Sequence, residues 1–440
     1  MAQKLKDFEG RKCVYQILLI IRRHFPDLVN DLSLVKDHRI APQYKVEEIY
    51  MACISMFLFK RESRNQMDGI RDKGGFSENY QKLFGLKLPD MDTVNLFLKK
   101  SSPQALEEIK HKMVQCLLNK KVLRKFLANG TYMVAVDGSG IGSYPYEPWP
   151  GCPFKESKNG TKTWLVPILE AKMVFNNGLC LSLCTEWMLN TGNFDKQDCE
   201  QKAFPRLAEK LKKDYPRLPI TILADGLYPN TRVFGICKKN QWGFMITLKD
   251  KNLKTLWEDI NFELLVAKDN HVETPWWNHK KDKLKQSFRF LNNLKYNRFN
   301  LNWIECCETT ITKKKAQTTR FVTITNLPVT KENVCILGNY ARQRWNIELD
   351  GFDIQKNHGY GLEHKYSRCS LNARQNYYQC LQIAHIINQL AMKVKSFVSQ
   401  FHSKDSDMLL WECIIAFMML CEIEHEQVQQ IYQSNCQLRY

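Results

Sequence analysis

Two short apolar runs in this chain each end in the same dipeptide. Tyr132-Met133-Val134-Ala135-Val136 precedes Asp137-Gly138, and Ile220-Thr221-Ile222-Leu223-Ala224 precedes Asp225-Gly226. A carboxylate at the end of a buried strand, beside glycine, is a way to present a metal ligand at a sheet edge. The plainer alternative is a turn aspartate before glycine. Two aspartates in matching contexts, at the ends of two core strands of one sheet, can converge on a single ion. A third acidic residue closes Arg344-Trp345-Asn346-Ile347-Glu348. If that stretch is helical, Arg344 and Glu348 lie one turn apart on one face, and Trp345 and Ile347 point elsewhere to anchor the helix on a core. A cation beside a carboxylate suits a phosphate and a metal ion together. The alternative is an ordinary surface ion pair.

The elements that must position these residues follow from periodicity. Val14–His24, Val46–Lys60 and Pro103–Leu127 carry apolar residues at helical spacing. Pro89 to Lys100 reads as a loop, an N-cap and a short basic helix, which serves either a DNA groove or packing. From Thr131 the pattern turns to strands. Thr163–Phe175 and Leu179–Leu189 flank Asn176-Asn177-Gly178, a strong hairpin signal. Asn193–Lys213 predicts an amphipathic helix, Pro219–Ala224 a buried strand, Asn230–Lys239 a helix and Trp242–Leu248 a strand.

Residues 250–335 break that alternation. Ser287–Glu305 and Thr318–Thr325 alternate apolar and polar side chains and read as strands. Lys280 to Arg320 holds eleven Lys or Arg against three Asp or Glu. Trp276-Trp277 stand just ahead, placed either to stack on bases or to fill a core. Further on, Asn372–Phe397, Asp407–Cys421 and Glu424–Ser434 predict helices.

The chain thus divides into an N-terminal helical DNA-binding or dimerisation domain (1–127), a first catalytic part (128–249), a β-rich basic insertion (250–335), a second catalytic part with the Glu helix (336–400) and C-terminal helices (401–440). With 440 residues it is too long for one ordinary core. A net charge of +18 favours a polyanionic partner, since each neutralised phosphate releases counterions. No run approaches the ~20 apolar residues that a bilayer span needs, so no membrane partner is expected. The 16 cysteines are scattered without a Cys-x-x-Cys pair and read as buried free thiols in a reducing cytosol.

Asp137, Asp225 and Glu348, with a β-rich stretch before the glutamate, resemble the DDE transposases of bacterial insertion sequences. The branch with a Tyr-x2-Arg-x3-Glu-x6-Lys signature is the most similar, and Arg344 and Glu348 fit it. That signature would place Tyr at Ala341 and Lys at Gln355. The candidates present, Tyr340 and Lys356, are each one position off, and Gly351 offers a place to absorb an extra residue before Lys356. The resemblance implies an α/β, ribonuclease-H-like fold: a mixed five-stranded sheet flanked by helices. It implies two Mg²⁺ ions, with Mn²⁺ as substitute, held by Asp137, Asp225 and Glu348. Arg344, Tyr340, Lys356, Trp276 and Trp277 become candidate DNA contacts. The partners implied are double-stranded DNA, as transposon ends and target, and a second copy of the chain in a homodimer. The expected location is the bacterial cytoplasm, at the nucleoid. The same carboxylates would equally serve a ribonuclease-H-like nuclease without strand transfer, and a DNA-binding protein derived from a transposase is a third class.

Overall fold

The computed structural model describes residues 10–190, 196–279, 282–312, 315–394, 397, 407–424, 426 and 428–429. Seven helices lead: α1 (Gly10–His24), α2 (Leu28–Ser33), α3 (Val46–Leu58), α4 (Arg64–Arg71), α5 (Phe76–Phe84), α6 (Met91–Lys100) and α7 (Pro103–Asn119). Asp90 caps α6 by accepting the Thr93 N–H at 2.7 Å. The inner face of α6, Met91, Val94, Phe97 and Leu98, is buried, while Asp92, Leu96 and Lys100 face outward. Asn376 donates to the carbonyls of Leu98 and Ser101 at the end of α6, at 3.0 and 2.9 Å.

The strands are β1 (Tyr132–Tyr144), β2 (Phe154–Glu156), β3 (Lys162–Val174), β4 (Cys180–Trp187), β5 (Ile220–Ala224), β6 (Gly243–Thr247), β7 (His271–Glu273), β8 (Trp277–His279), β9 (Asp282–Tyr296), β10 (Phe299–Ile311) and β11 (Ala316–Thr325). The expected hairpin forms between β3 and β4, and Gly178 takes φ +80° at its turn. β5 is buried along its whole length and runs parallel to both β1 and β6, as an uninterrupted apolar strand should. Side by side, the order is β4-β3-β1-β5-β6, with β2 also on β3.

Three corrections to the sequence reading concern the region after β6. The sheet does not stop at five strands: β11 pairs antiparallel with β6, and β10, β9 and β7 follow, so the β-rich stretch continues one 11-stranded sheet. Ser287–Glu305 is not one run but parts of β9 and β10, which turn at Asn297 with φ +51°. The stretch also begins with a helix, α10 (Lys254–Val266), that periodicity did not reveal. Only Leu256 and Ile260 of α10 are buried, too few to print a helical stripe.

The remaining helices are α8 (Glu200–Asp214), α9 (Thr231–Asn240), α11 (Val334–Arg342), the short α12 (Ile354–Asn357), α13 (Leu371–Ala391) and α14 (Asp407–Leu420). Helix α8 starts at Glu200, later than expected. Residues 193–195 of that expected helix lie outside the described residues, as does most of Glu424–Ser434. Helix α13 is less apolar than its pattern promised: it buries Arg374, Asn376, Gln379, Gln382, His385 and Asn388. No helix among the described residues is long and apolar enough to cross a membrane, and every cysteine among them is free.

Candidate functional site

Asp137 does not end its strand. Pairing of β1 with β5 stops at Ala135↔Leu223, but β1 runs on to Tyr144 along β3. Asp137 and Asp225 each lie two residues past that last pair, so parallel register puts them at the same level where β5 gives way to a turn. The turn orients Asp225: its Oδ1 accepts the Leu227 N–H at 2.8 Å, an Asx turn. Its Oδ2 lies 3.5 Å from Lys249 Nζ.

The glutamate segment reaches the same edge of the sheet. It is not the regular helix expected. After α11 the chain tightens into a 3₁₀ turn (Gln343–Trp345) and widens into a π-helical turn (Ile347–Asp353) before α12. Arg344 and Glu348 still share a face. Arg344 Nη1 lies 3.4 Å from Glu348 Oε1 and 3.5 Å from Asp137 Oδ2, and its side chain is buried. What fastens the segment is Ile347, fully buried, and Asn346, which donates to the Phe175 carbonyl at 2.9 Å. The anchor expected of Trp345 is absent: it is 49% exposed, with the Arg344 guanidinium over its ring at 4.5 Å.

A π turn lies between Glu348 and Lys356, where Gly351 offered room for an extra residue. A π-helical turn takes up one residue more than an α turn, and this one contains Gly351, where a Cβ would meet Cys180 Sγ at 3.1 Å. Past that turn Gln355 is buried and bonded to Gln382, while Lys356 is half-buried. Lys356 pairs with Glu363 at 3.0 Å rather than with the carboxylates. Tyr340 is half-buried against the core. Trp276 is 47% exposed, so the core alternative fails for it, whereas Trp277 is half-buried in β8, paired across to Leu284.

A fourth carboxylate, which sequence reasoning missed, joins the edge. Glu200, in the first turn of α8, accepts the Tyr228 hydroxyl at 2.8 Å on Oε2. Its other oxygen lies so close to Gly138 that a Cβ there would stand 2.4 Å from Oε1. The second Asp-Gly repeats the device, because a Cβ on Gly226 would stand 2.6 Å from the Lys249 side chain. Each glycine clears the way for a charged neighbour of the aspartate. That role was the only signal the sequence held.

Burial above all, then the hydrogen bond and charge of Glu348, pushes the Asp137 carboxyl up to about 7, with Arg344 pulling the other way. Burial and the Asp225 charge likewise raise Glu200, against the bond from Tyr228. Among the described residues no three His, Cys, Asp or Glu side chains stand together as a ready metal-binding group. Asp137 and Glu348 are in mutual contact, and Asp225 is held off by Lys249 and the Leu227 N–H. The donor set nonetheless fits a divalent cation. It is all carboxylate oxygen, the preference of Mg²⁺ and Mn²⁺. Its crowded Asp137–Glu348 pair would also be relieved by positive charge.

A family model described as Transposase DDE domain matches residues 194–387. The match takes in Asp225, Arg344 and Glu348 and leaves Asp137 ahead of it. It supports a DDE-type transposase, an enzyme class that acts on DNA with divalent metal. No curated protein matches the chain.

Proposed function

We propose that this protein is a DNA transposase that cleaves at transposon ends and joins the freed ends to target DNA. The observation that carries the reading is the meeting of Asp137 and Glu348 across Arg344, at the register level of Asp225, in a chain that matches a transposase domain. The strand order β4-β3-β1-β5-β6, an antiparallel hairpin followed by parallel strands, is the arrangement a ribonuclease-H-like domain implies and supports that fold.

In this reading Asp137, Asp225 and Glu348 hold two Mg²⁺ ions, or Mn²⁺ in their place. When bound, the ions supply Lewis-acid activation of the attacking oxygen and of the leaving one. The protein's own part is placement. Asp137 and Asp225 are fixed by adjacent strands, and Glu348 is fixed by Asn346 and Ile347 beneath it. Arg344 balances the carboxylates and would grip a DNA phosphate near the cut. Tyr340 and Lys356 line the approach of the DNA backbone. The exposed Trp276 and its neighbour Trp277 receive an unstacked base. The net charge of +18 supports double-stranded DNA as partner. A homodimer that brings two transposon ends together, acting at a bacterial nucleoid, completes the proposal.

The test is an assay with end-bearing duplexes, uncut and pre-cut, in Mg²⁺ or Mn²⁺. Strand-transfer products from pre-cut ends are expected from the wild type and absent from Glu348→Gln. Cleavage without transfer would instead make the protein a nuclease. Wild-type behaviour of Glu348→Gln would leave a DNA-binding protein. Wild-type yields of end cleavage and strand transfer from Trp276→Ala and Trp277→Ala would remove the base-stacking role.

A further inference from the structure

We propose that Glu200 is a fourth carboxylate of the cation site, admitted by Gly138 and aimed by the Tyr228 hydroxyl. The inference rests on the reading that Asp137, Asp225 and Glu348 bind divalent cations, and extends the ligand set to a residue on a different element.

Three geometric observations converge. Glu200 lies in the first turn of α8, so its backbone is fixed by a helix of 15 residues rather than by a loop. Its carboxylate occupies the space that a side chain at position 138 would need, directly after Asp137, and the cost of a Cβ there is a contact of 2.4 Å. Tyr228, fully buried and three residues after Asp225, spends its hydroxyl on Glu200 Oε2 at 2.8 Å. The Tyr228 ring is held by Phe204 of α8, centroids 5.6 Å apart. The carboxylate is thus oriented by the strand turn that carries Asp225 and rests on the strand that carries Asp137. Its charge raises the Asp137 carboxyl, and the Asp225 charge in turn raises Glu200.

The polar partner of Glu200 is a neutral hydroxyl, which fixes one oxygen and adds no positive charge beside the two aspartates. Holding like charges together costs free energy in the cation-free protein and favours cation binding. Tyr228 is a positioning residue in this scheme: it acts on the cation only through Glu200. Gly138 is the opening through which Glu200 enters.

The experiment titrates the full-length protein with Mn²⁺ alone, followed by the electron paramagnetic resonance of free Mn²⁺, with no DNA and no turnover. Glu200→Gln is expected to weaken Mn²⁺ binding by roughly 10- to 100-fold, and Tyr228→Phe by a smaller factor in the same direction, the usual size of effects from ligands and their supports. Asp137→Asn, the control for the underlying reading, is expected to weaken it at least as much. Circular dichroism checks the fold of each variant. Should Glu200→Gln fail to fold, Tyr228→Phe carries the test. Wild-type isotherms for Glu200→Gln and Tyr228→Phe, with binding lost in Asp137→Asn, would overturn the role of Glu200 and spare the three-carboxylate reading. An isotherm unchanged by Asp137→Asn, or a wild type that binds no Mn²⁺, would overturn both.

Discussion

Asp137 and Glu170 are register partners on β1 and β3, yet they sit in opposite electrostatic settings. Glu170 is fully buried, and each of its oxygens has a donor: Ser182 Oγ on one, and the Tyr378 hydroxyl at 2.9 Å on the other. Behind Ser182 stands Lys110, also fully buried, donating at 2.8 Å. Nearby, Lys172 donates to Gln355 and Gln382, whose amides also pair with each other. One acid stands there with two lysines, and each of the three has hydrogen-bond partners fixed in the core. At the edge, Asp137, Glu348, Asp225 and Glu200 gather around Arg344 and Lys249, four carboxylates to two cations. Residue type does not separate the two regions. The inner one is hydrogen-bonded by fixed partners and serves the fold. The outer one keeps surplus negative charge within reach of solvent, the condition under which a divalent cation binds.

The largest expected effect lies in function at the edge. Glu348→Gln and Asp225→Asn each lower the rate of end cleavage by roughly 10³-fold or more, since the loss of a cation ligand removes several kcal/mol of transition-state stabilisation. Their urea-unfolding midpoints stay near the wild type. Cleavage that survives in either variant would erase the contrast between the regions.

Next in size is the inner network. Glu170→Ala leaves Lys110 and Tyr378 facing an uncompensated interior and should cost about 3–5 kcal/mol in urea unfolding. Lys110→Met falls in the same range, and the double variant falls short of the sum, because the two residues share one network. Additive losses would show that Glu170 and Lys110 are independent.

A smaller effect of opposite sign is expected from Asp137→Asn. The Asp137 carboxyl ordinarily ionises near 3.8 and does so near 7 in the fold. Below pH 3.8 it is protonated in both folded and unfolded chains and costs nothing. As pH rises from about 4 to about 7 the unfolded chain ionises first, and stability is lost until both forms are charged. In chelator, then, Asp137→Asn should raise Tm at pH 8 by roughly 2–4 °C, with the gain gone near pH 4. A pH-independent gain would assign it to packing rather than charge.

The smallest effect belongs to Lys172→Met. Burial lowers the affinity of Lys172 for its proton, and the reciprocal Gln355–Gln382 amides satisfy each other without it. A shape-conserving apolar replacement should change stability by less than about 1 kcal/mol. A larger loss would place Lys172 with Lys110 as a charge the core depends on.

Much of this architecture was legible because local chemistry enforced it. Asn177-Gly178 demands a tight reversal, and the reversal is there. Ile220–Ala224 has no polar side to show solvent beyond Thr221, which itself bonds to Thr131 at 2.7 Å, so the segment could only be an inner strand. Helix α10 escaped because two buried residues in thirteen leave no period to read. Trp345 misled because a large apolar ring usually goes inside; here the widened turn faces it outward, against its neighbour Arg344.

What the chain's order of residues determined by itself was a set of local commitments: which runs extend, which coil, where Asp-Gly interrupts a strand. These depend on side chains a few positions apart. Which carboxylates meet was settled only by tertiary structure. Parallel register aligned Asp137 with Asp225, a π turn brought Glu348 around, and the packing of α8 set Glu200 against Gly138. Such encounters join residues scores of positions apart. Their energetics come from burial and charge in the assembled fold, and neither quantity exists until the strands and helices have packed.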